Sequence, residues 1–156
     1  MRATVFGAIC FAVVLLVAGP VVRGAEKKIT RAELPPAVEK TVAELAKGAT
    51  IRGFSREIEQ GKTSYEAQLT VNGHGRDVSI DERGKVVEVE EELALDTLPT
   101  AVKEGLKKAA GSGQIVKVES LTKSGKLVAY EAAVKTGSKR SEVQVDPDGK
   151  ALSQKQ

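Results

Sequence analysis

The stretch YEAQLTVNGHGRDVSIDERGK at residues 65–85 decides the fold, because it recurs in altered form as YEAAVKTGSKRSEVQVDPDGK at residues 130–150. The match extends toward the N-terminus of each copy, where Leu34 corresponds to Leu98 at an offset of 64 residues. One residue inserted in the second copy raises the offset to 65 from the two tyrosines onward. Matches that keep one order with a single gap indicate an internal duplication.

Each copy begins with a predicted helix. Val38, Val42 and Leu45 recur at helical spacing in the first copy, and Val102 and Leu106 do so in the second. Prolines precede both runs, where a missing N–H costs nothing, and glycines follow them, where a left-handed cap is tolerated. We expect two short helices, each with a narrow apolar stripe that needs a sheet to lie on.

After each helix the apolar period changes to two, which is typical of half-buried strands. Glycine pairs that favour tight hairpins separate the runs; they are Gln60-Gly61, Asn72-Gly73, Arg83-Gly84, Ser124-Gly125 and Asp148-Gly149. The first strand of each copy breaks the alternation, which predicts a bulge, with Gly53 as a candidate position. The predicted fold is α+β, with two tandem α-β-β-β-β units, each a four-stranded antiparallel sheet with one helix on one face.

Residues 1–24 are interpreted as a cleaved signal peptide that directs the protein to the periplasm or the medium. Arg2 precedes an apolar run of 14 residues at 5–18, which is shorter than the roughly 20 residues that span a bilayer. Cleavage after Gly24 or after Ala25 fits the small residues there, and an uncleaved anchor is the alternative. The rest of the chain divides into a first unit at 25–92 and a second unit at 93–156.

Charge and cysteine content restrict the partners of the mature chain. Without Arg2 and Arg23 it has 22 basic and 21 acidic residues, which gives little attraction for nucleic acid. Residues 26–92 hold 14 acidic and 11 basic side chains, and residues 93–156 hold 7 and 11. This asymmetry favours side-by-side contact between the two units, or head-to-tail self-association, over binding DNA. We expect either a monomer or weak head-to-tail self-association. Because the single cysteine lies in the signal segment, no disulfide is expected.

The order of these segments resembles the PepSY-like domain, which is related to the fold of the secreted β-lactamase inhibitor protein. The resemblance rests on Tyr-Glu-Ala, a hydrophobic strand and an Asp-x-x-Gly-Lys hairpin at 65–85 and 130–150, each preceded by Leu-Pro-x-Ala-Val, at 34–38 and 98–102. It covers nearly all of the mature chain, in tandem. It implies an exported α+β binding module without catalytic residues, of a kind sometimes proposed to restrain envelope or secreted hydrolases.

The sheet face opposite each helix is the predicted surface for an unidentified protein partner. Its outward positions are Glu66, Gln68, Thr70, Glu131, Ala133 and Lys135. These side chains are polar and of mixed charge, and both tyrosines lie on the apolar rows instead. Because binding hot spots are rich in Trp, Tyr and Arg, this surface argues against tight binding of a β-lactamase and suits weak or electrostatic contacts.

No catalytic, cofactor or metal site is predicted. His74 lies at a hairpin tip, without the further N or S ligands that a zinc site needs, and Asp146 begins a turn. An acidic run is interpreted as a solvated edge strand and linker, or alternatively as a docking site for a basic partner, including the second unit; it comprises Glu88, Glu90, Glu91 and Glu92. The alternative function is a small enzyme or a metal- or ligand-binding envelope protein, which a pocket of converging polar groups on the open face would favour.

Overall fold

The computed structural model describes residues 26–59 and 61–153, so the predicted signal peptide lies outside the described residues. The strands and α-helices are β1 (Lys27–Ile29), α1 (Pro36–Leu45), β2 (Thr50–Glu59), β3 (Lys62–Val71), β4 (His74–Asp81), β5 (Val86–Glu92), α2 (Thr100–Ala110), β6 (Gln114–Lys123), β7 (Lys126–Thr136) and β8 (Lys139–Val145). Short 3-10 turns precede both helices. Within this part of the chain neither helix has the length and apolar character needed to cross a membrane.

All eight strands form one antiparallel sheet in chain order, so the prediction of two separate four-stranded units, each with its own helix, is wrong, although the α+β class is right. The two copies are joined where β5 pairs with β6, from Glu88 opposite Lys123 to Glu92 opposite Glu119. Separate sheets would leave the backbone groups of both strands without partners on one side, and this pairing satisfies them.

The acidic strand β5 therefore lies in the middle of the sheet, and its interpretation as a solvated edge is wrong. It pairs with β4 on one side and with β6 on the other. Lys123 Nζ lies 2.9 Å from a carboxylate oxygen of Glu88 across the junction. The alternative interpretation, in which this run docks on the second copy, describes the observed contact.

Both helices cover the same face of the sheet, each over its own hydrophobic core. Val89 packs against the first core and is paired with Thr122. Thr122 shares its face of β6 with Val118, which belongs to the second core. Tyr65 is buried in the first core and Tyr130 packs against the second, which confirms that the tyrosines are packing residues.

Strand irregularities and turns recur in both copies. The predicted bulge is confirmed, since the register of β2 shifts between Ile51 and Gly53, and β6 shifts at the corresponding place. The carboxylate of Asp81 accepts hydrogen bonds from the backbone N–H groups two and four residues later, at 3.0 and 2.9 Å. Asp146 accepts the same two bonds in the second copy. Both aspartates therefore stabilise turns, as predicted for Asp146.

The repeated turn glycines bring these turns against the helices. Gly149 has a φ of +82°, and a Cβ there would lie 2.1 Å from the backbone oxygen of Ala101 in α2. Gly84 repeats this arrangement against α1, where the hydroxyl of Thr41 donates a hydrogen bond to the Gly84 carbonyl at 2.6 Å. The Asp-x-x-Gly-Lys motif therefore fixes each helix on its half of the sheet and leaves the opposite face uncovered.

Candidate functional site: an acidic hollow on the helix-free face

The sheet face that carries no helix, here called the helix-free face, presents rows of paired polar side chains. Paired residues of antiparallel strands point to the same side of a sheet. In one row of such pairs across β2 to β5, serine alternates with glutamate; the row comprises Ser55, Glu66, Ser79 and Glu88. Asp77 and Glu90 pair in the adjacent row. The pairing of distant strands thus collects carboxylates on one face.

These rows enclose a hollow of about 320 Å³, here called the acidic hollow. Its lining comprises Glu26, Ser55, Glu57, Ser64, Glu66, Ser79, Glu88 and Glu90. The short serine side chains between the glutamates leave the space open. Ser55 is only 2% exposed, yet its hydroxyl forms no hydrogen bond with another described residue. A buried polar group in this condition is available to a ligand or to water.

Basic side chains neutralise part of this face. Lys123 pairs with Glu88, and the Arg52 guanidinium lies 2.6 Å from the Asp77 carboxylate. Among the described residues, however, no lysine or arginine lies within ion-pair distance of the carboxylates of three lining glutamates, Glu57, Glu66 and Glu90. The hollow therefore concentrates negative charge.

Burial and mutual repulsion change the protonation of two of these glutamates. Burial, followed by repulsion from Glu119, Glu88 and other nearby glutamates, raises the pKa of Glu90 from 4.5 to about 7. Burial also raises the pKa of Glu66, although the Gln68 amide opposes this by donating a hydrogen bond to its carboxylate at 2.9 Å. At neutral pH the carboxyl group of Glu90 is therefore close to half protonated.

The acidic surface continues from the hollow onto the second copy. One further row across β5, β6 and β7 places Glu92, Glu119 and Glu131 side by side. The Gln144 amide donates a hydrogen bond to the Glu131 carboxylate at 2.7 Å. Gln144 and Leu121 are buried although both lie on the helix-free face. Lys117 Nζ lies 2.5 Å from the Glu119 carboxylate, so this row is partly neutralised.

All six residues predicted to bind a partner lie on the helix-free face, and their role in binding stays a prediction. They are Glu66, Gln68 and Thr70 on β3, and Glu131, Ala133 and Lys135 on β7. Glu66 lines the acidic hollow, and Gln68 donates a hydrogen bond to it. Glu131 lies in the row that also contains Glu92 and Glu119. Thr70, Ala133 and Lys135 do not line the hollow. Lys135 is exposed and lies opposite Arg140 in the register of β7 with β8.

The acidic run that contains Glu88 and Glu90 was interpreted alternatively as a docking site for a basic partner, but neither its place in this hollow nor the part of Ser55 was predicted. Glu88 and Glu90 occupy alternate positions of β5 and so share a face, a pattern visible in the sequence. That pattern does not show whether the strand is central or at an edge. Ser55 gave no signal, because nothing local distinguishes it from other strand serines.

The described carboxylates are spread over the walls of the hollow. Within the described ranges no group of three or more His, Cys, Asp or Glu side chains is arranged to hold a metal ion. His74 is exposed at the start of β4, next to the turn where it was predicted. The arrangement suits a positively charged group that can contact several separate carboxylates.

Comparisons with known proteins support the architecture. No protein-family model matches the sequence, and no curated protein matches it. A crystal structure of a DUF2874 family protein from Bacteroides ovatus is similar, with 20% identity and a TM-score of 0.60 over 76% of this chain and 84% of that one. A BLIP-like protein from Bacteroides fragilis shares 22% identity and a TM-score of 0.57 over 78% and 85% of the two chains. This chain has a BLIP-like fold. A proposed periplasmic protein from Bacteroides eggerthii shares 17% identity and a TM-score of 0.63 over 78% and 87%.

Proposed function

We propose that this protein is an exported, non-catalytic binding module that recognises a protein partner through its helix-free face. The observation that carries the proposal is the acidic hollow, in which Glu57, Glu66 and Glu90 are partly buried without a basic partner among the described residues. Like charges opposed on a sheet and partly removed from water destabilise a fold. Such local conflicts are characteristic of functional surfaces.

Two observations support export. The pattern at residues 1–24 fits a signal peptide, and one structural neighbour is described as a proposed periplasmic protein. The proposal places the mature chain in the periplasm or the medium, as a tandem PepSY-like protein. In this proposal the PepSY-like resemblance favours a hydrolase or protease of the envelope or the medium as the partner. The chain modulates the activity of that enzyme.

The test starts from a partner and ends with purified components. The immobilised mature protein is exposed to envelope extract, and each captured protein is identified, produced in recombinant form and titrated by calorimetry. We expect a saturable complex that is lost in the double variant Glu66→Gln/Glu90→Gln and kept in the control Glu104→Gln, which changes an exposed glutamate on α2. A complex that survives the double variant contradicts the use of the helix-free face.

One observation favours the alternative of a small enzyme. A carboxyl group with a pKa near 7, such as that of Glu90, can donate or accept a proton at neutral pH, as general acid–base catalysis requires. The purified protein is therefore assayed alone against chromogenic glycosides and esters. Turnover that disappears in Glu90→Gln and persists in Glu104→Gln would replace the binding proposal with an enzymatic one.

A further inference from the structure

We infer that the acidic hollow receives lysine or arginine side chains from an extended basic segment of the protein partner, in which the basic residues occupy alternate positions. The inference rests on the proposed function and specifies the chemistry of the partner. Charge complementarity is its first support. Glu57, Glu66 and Glu90 present carboxylates without a basic partner among the described residues, and ammonium and guanidinium groups form strong charge-assisted hydrogen bonds with such acceptors.

Ser55 gives independent support. Its side chain is almost fully buried, lines the hollow, and has no hydrogen-bond partner among the described residues. A serine hydroxyl can accept a hydrogen bond from a cationic N–H group while it donates its own proton to a neighbouring carboxylate. An ammonium or guanidinium group in the hollow would supply the donor that Ser55 lacks.

The lining and size of the hollow favour the end of a side chain over a free alkyl amine. The lining residues are glutamates and serines, so the methylene groups of a free polyamine would find little apolar surface to contact. A partner protein covers the stem of its own side chain and inserts only the charged end. About 320 Å³ is also well above the roughly 30 Å³ of one water molecule, so the hollow can hold such a group with bridging water.

The spacing of the glutamates on β5 specifies the form of the segment. Glu88, Glu90 and Glu92 alternate on one face of the strand. Alternate side chains of any extended chain are separated by about 6.6 Å. Glu88 already pairs with Lys123, and Glu92 already accepts a hydrogen bond from the Gly75 N–H group at 3.1 Å. Because an ionised carboxylate can accept several hydrogen bonds, a partner segment that runs along β5 in extended form meets the unpaired Glu90 and can share the carboxylates on either side of it with every second residue.

The direct test is a fluorescence anisotropy titration of a labelled synthetic peptide in which lysine alternates with serine. A peptide of the same composition with its lysines in one block is the matched control for spacing. We expect the alternating peptide to bind more tightly than the block peptide and to lose affinity as salt is added. Glu90→Gln should weaken binding about tenfold and Ser55→Ala about threefold. Glu104→Gln should bind as the wild type does.

Protonation provides a second readout. The groups that face Glu90 are Glu88 on its own strand, Asp77 on β4, Glu66 on β3, Glu119 on β6 and Glu131 on β7, with Lys123, Lys117 and Arg52 as the nearby cations. Because the pKa of Glu90 is about 7, acidification from pH 8 to pH 5.5 protonates this carboxylate and should weaken the wild-type complex. In Glu90→Gln this pH dependence should be smaller.

The outcomes are separable from those of the proposed function. Equal affinity of wild type and Glu90→Gln, or preference for the block peptide, overturns the inference. Calorimetric titrations with spermidine and with calcium chloride run in parallel, and saturable binding of either without binding of the alternating peptide also overturns it. A captured partner that needs the helix-free face but has no basic segment overturns the inference and leaves the proposed function standing. Failure to find any partner that depends on this face overturns the proposed function.

Discussion

Replacement of Glu90 by glutamine should stabilise the folded protein at pH 8 and change its stability little at pH 4.5. The glutamine keeps the shape of the side chain and removes its charge. A carboxyl group whose pKa is higher in the folded than in the unfolded state costs free energy when it ionises in the folded state. For Glu90 this cost is absent below the ordinary pKa of 4.5, grows as the pH rises, and is complete above about 7.

The size of the effect follows from the pKa of Glu90 in the folded protein. One pKa unit corresponds to about 1.4 kcal/mol, so a change from 4.5 to about 7 sets an upper bound of ~3 kcal/mol. Glu90 keeps some contact with solvent, which screens the repulsion from its neighbours. We therefore expect Glu90→Gln to raise the free energy of unfolding by about 1–2 kcal/mol at pH 8.

Urea unfolding followed by far-ultraviolet circular dichroism measures this difference at several pH values between 4.5 and 8. Glu104→Gln is the matched control, because it removes a carboxylate from the exposed surface of α2, and its effect should be small at every pH. Equal stabilisation by Glu90→Gln at both ends of this range, or destabilisation of the protein at pH 8, would contradict a raised pKa of Glu90 in the folded state. A carboxyl NMR titration of Glu90 with its midpoint near 4.5 would be equally decisive against it.

Three further predictions concern the scaffold. Gly149→Ala should lower the free energy of unfolding by ~3 kcal/mol, because a Cβ at this position meets the backbone of α2. Gly137 also has a positive φ but has open space around it, so Gly137→Ala should lower the free energy of unfolding by only ~1 kcal/mol. Equal losses of melting temperature in the two variants would show that the contact with α2 is unimportant. Asp146→Ala should cost ~1–2 kcal/mol in urea unfolding, because two backbone N–H groups lose their carboxylate acceptor, and Asp146→Asn should recover part of this. The double variant Val89→Cys/Thr122→Cys should form a disulfide under mild oxidation, since directly paired residues of antiparallel strands have a suitable Cα separation; two free thiols in a thiol titration would contradict the pairing of β5 with β6.

Local features could be predicted from the residues alone. Val38 and Val42 are buried in α1, Tyr65 is buried in the core, and the repeated hairpin glycines have positive φ, as their patterns indicate. These features depend on neighbours a few residues away along the chain, so spacing and residue type are sufficient. The position of Glu66 on the face opposite the helix followed from the same alternation.

The pairing of β5 with β6 and the environment of Glu90 depended on the tertiary structure. An acidic strand with alternating residues has the same local pattern at the edge of a sheet as in its centre, and the choice is made by contacts between segments far apart in sequence. Burial of Glu90 within the single sheet, followed by repulsion from neighbours that include Glu119 and Glu131, raises its pKa. The amino-acid sequence by itself determined the repeated helix, strands and turns, since these are local. The single sheet and its acidic hollow were decided by long-range pairing, because burial and repulsion at a carboxylate depend on which strands become its neighbours.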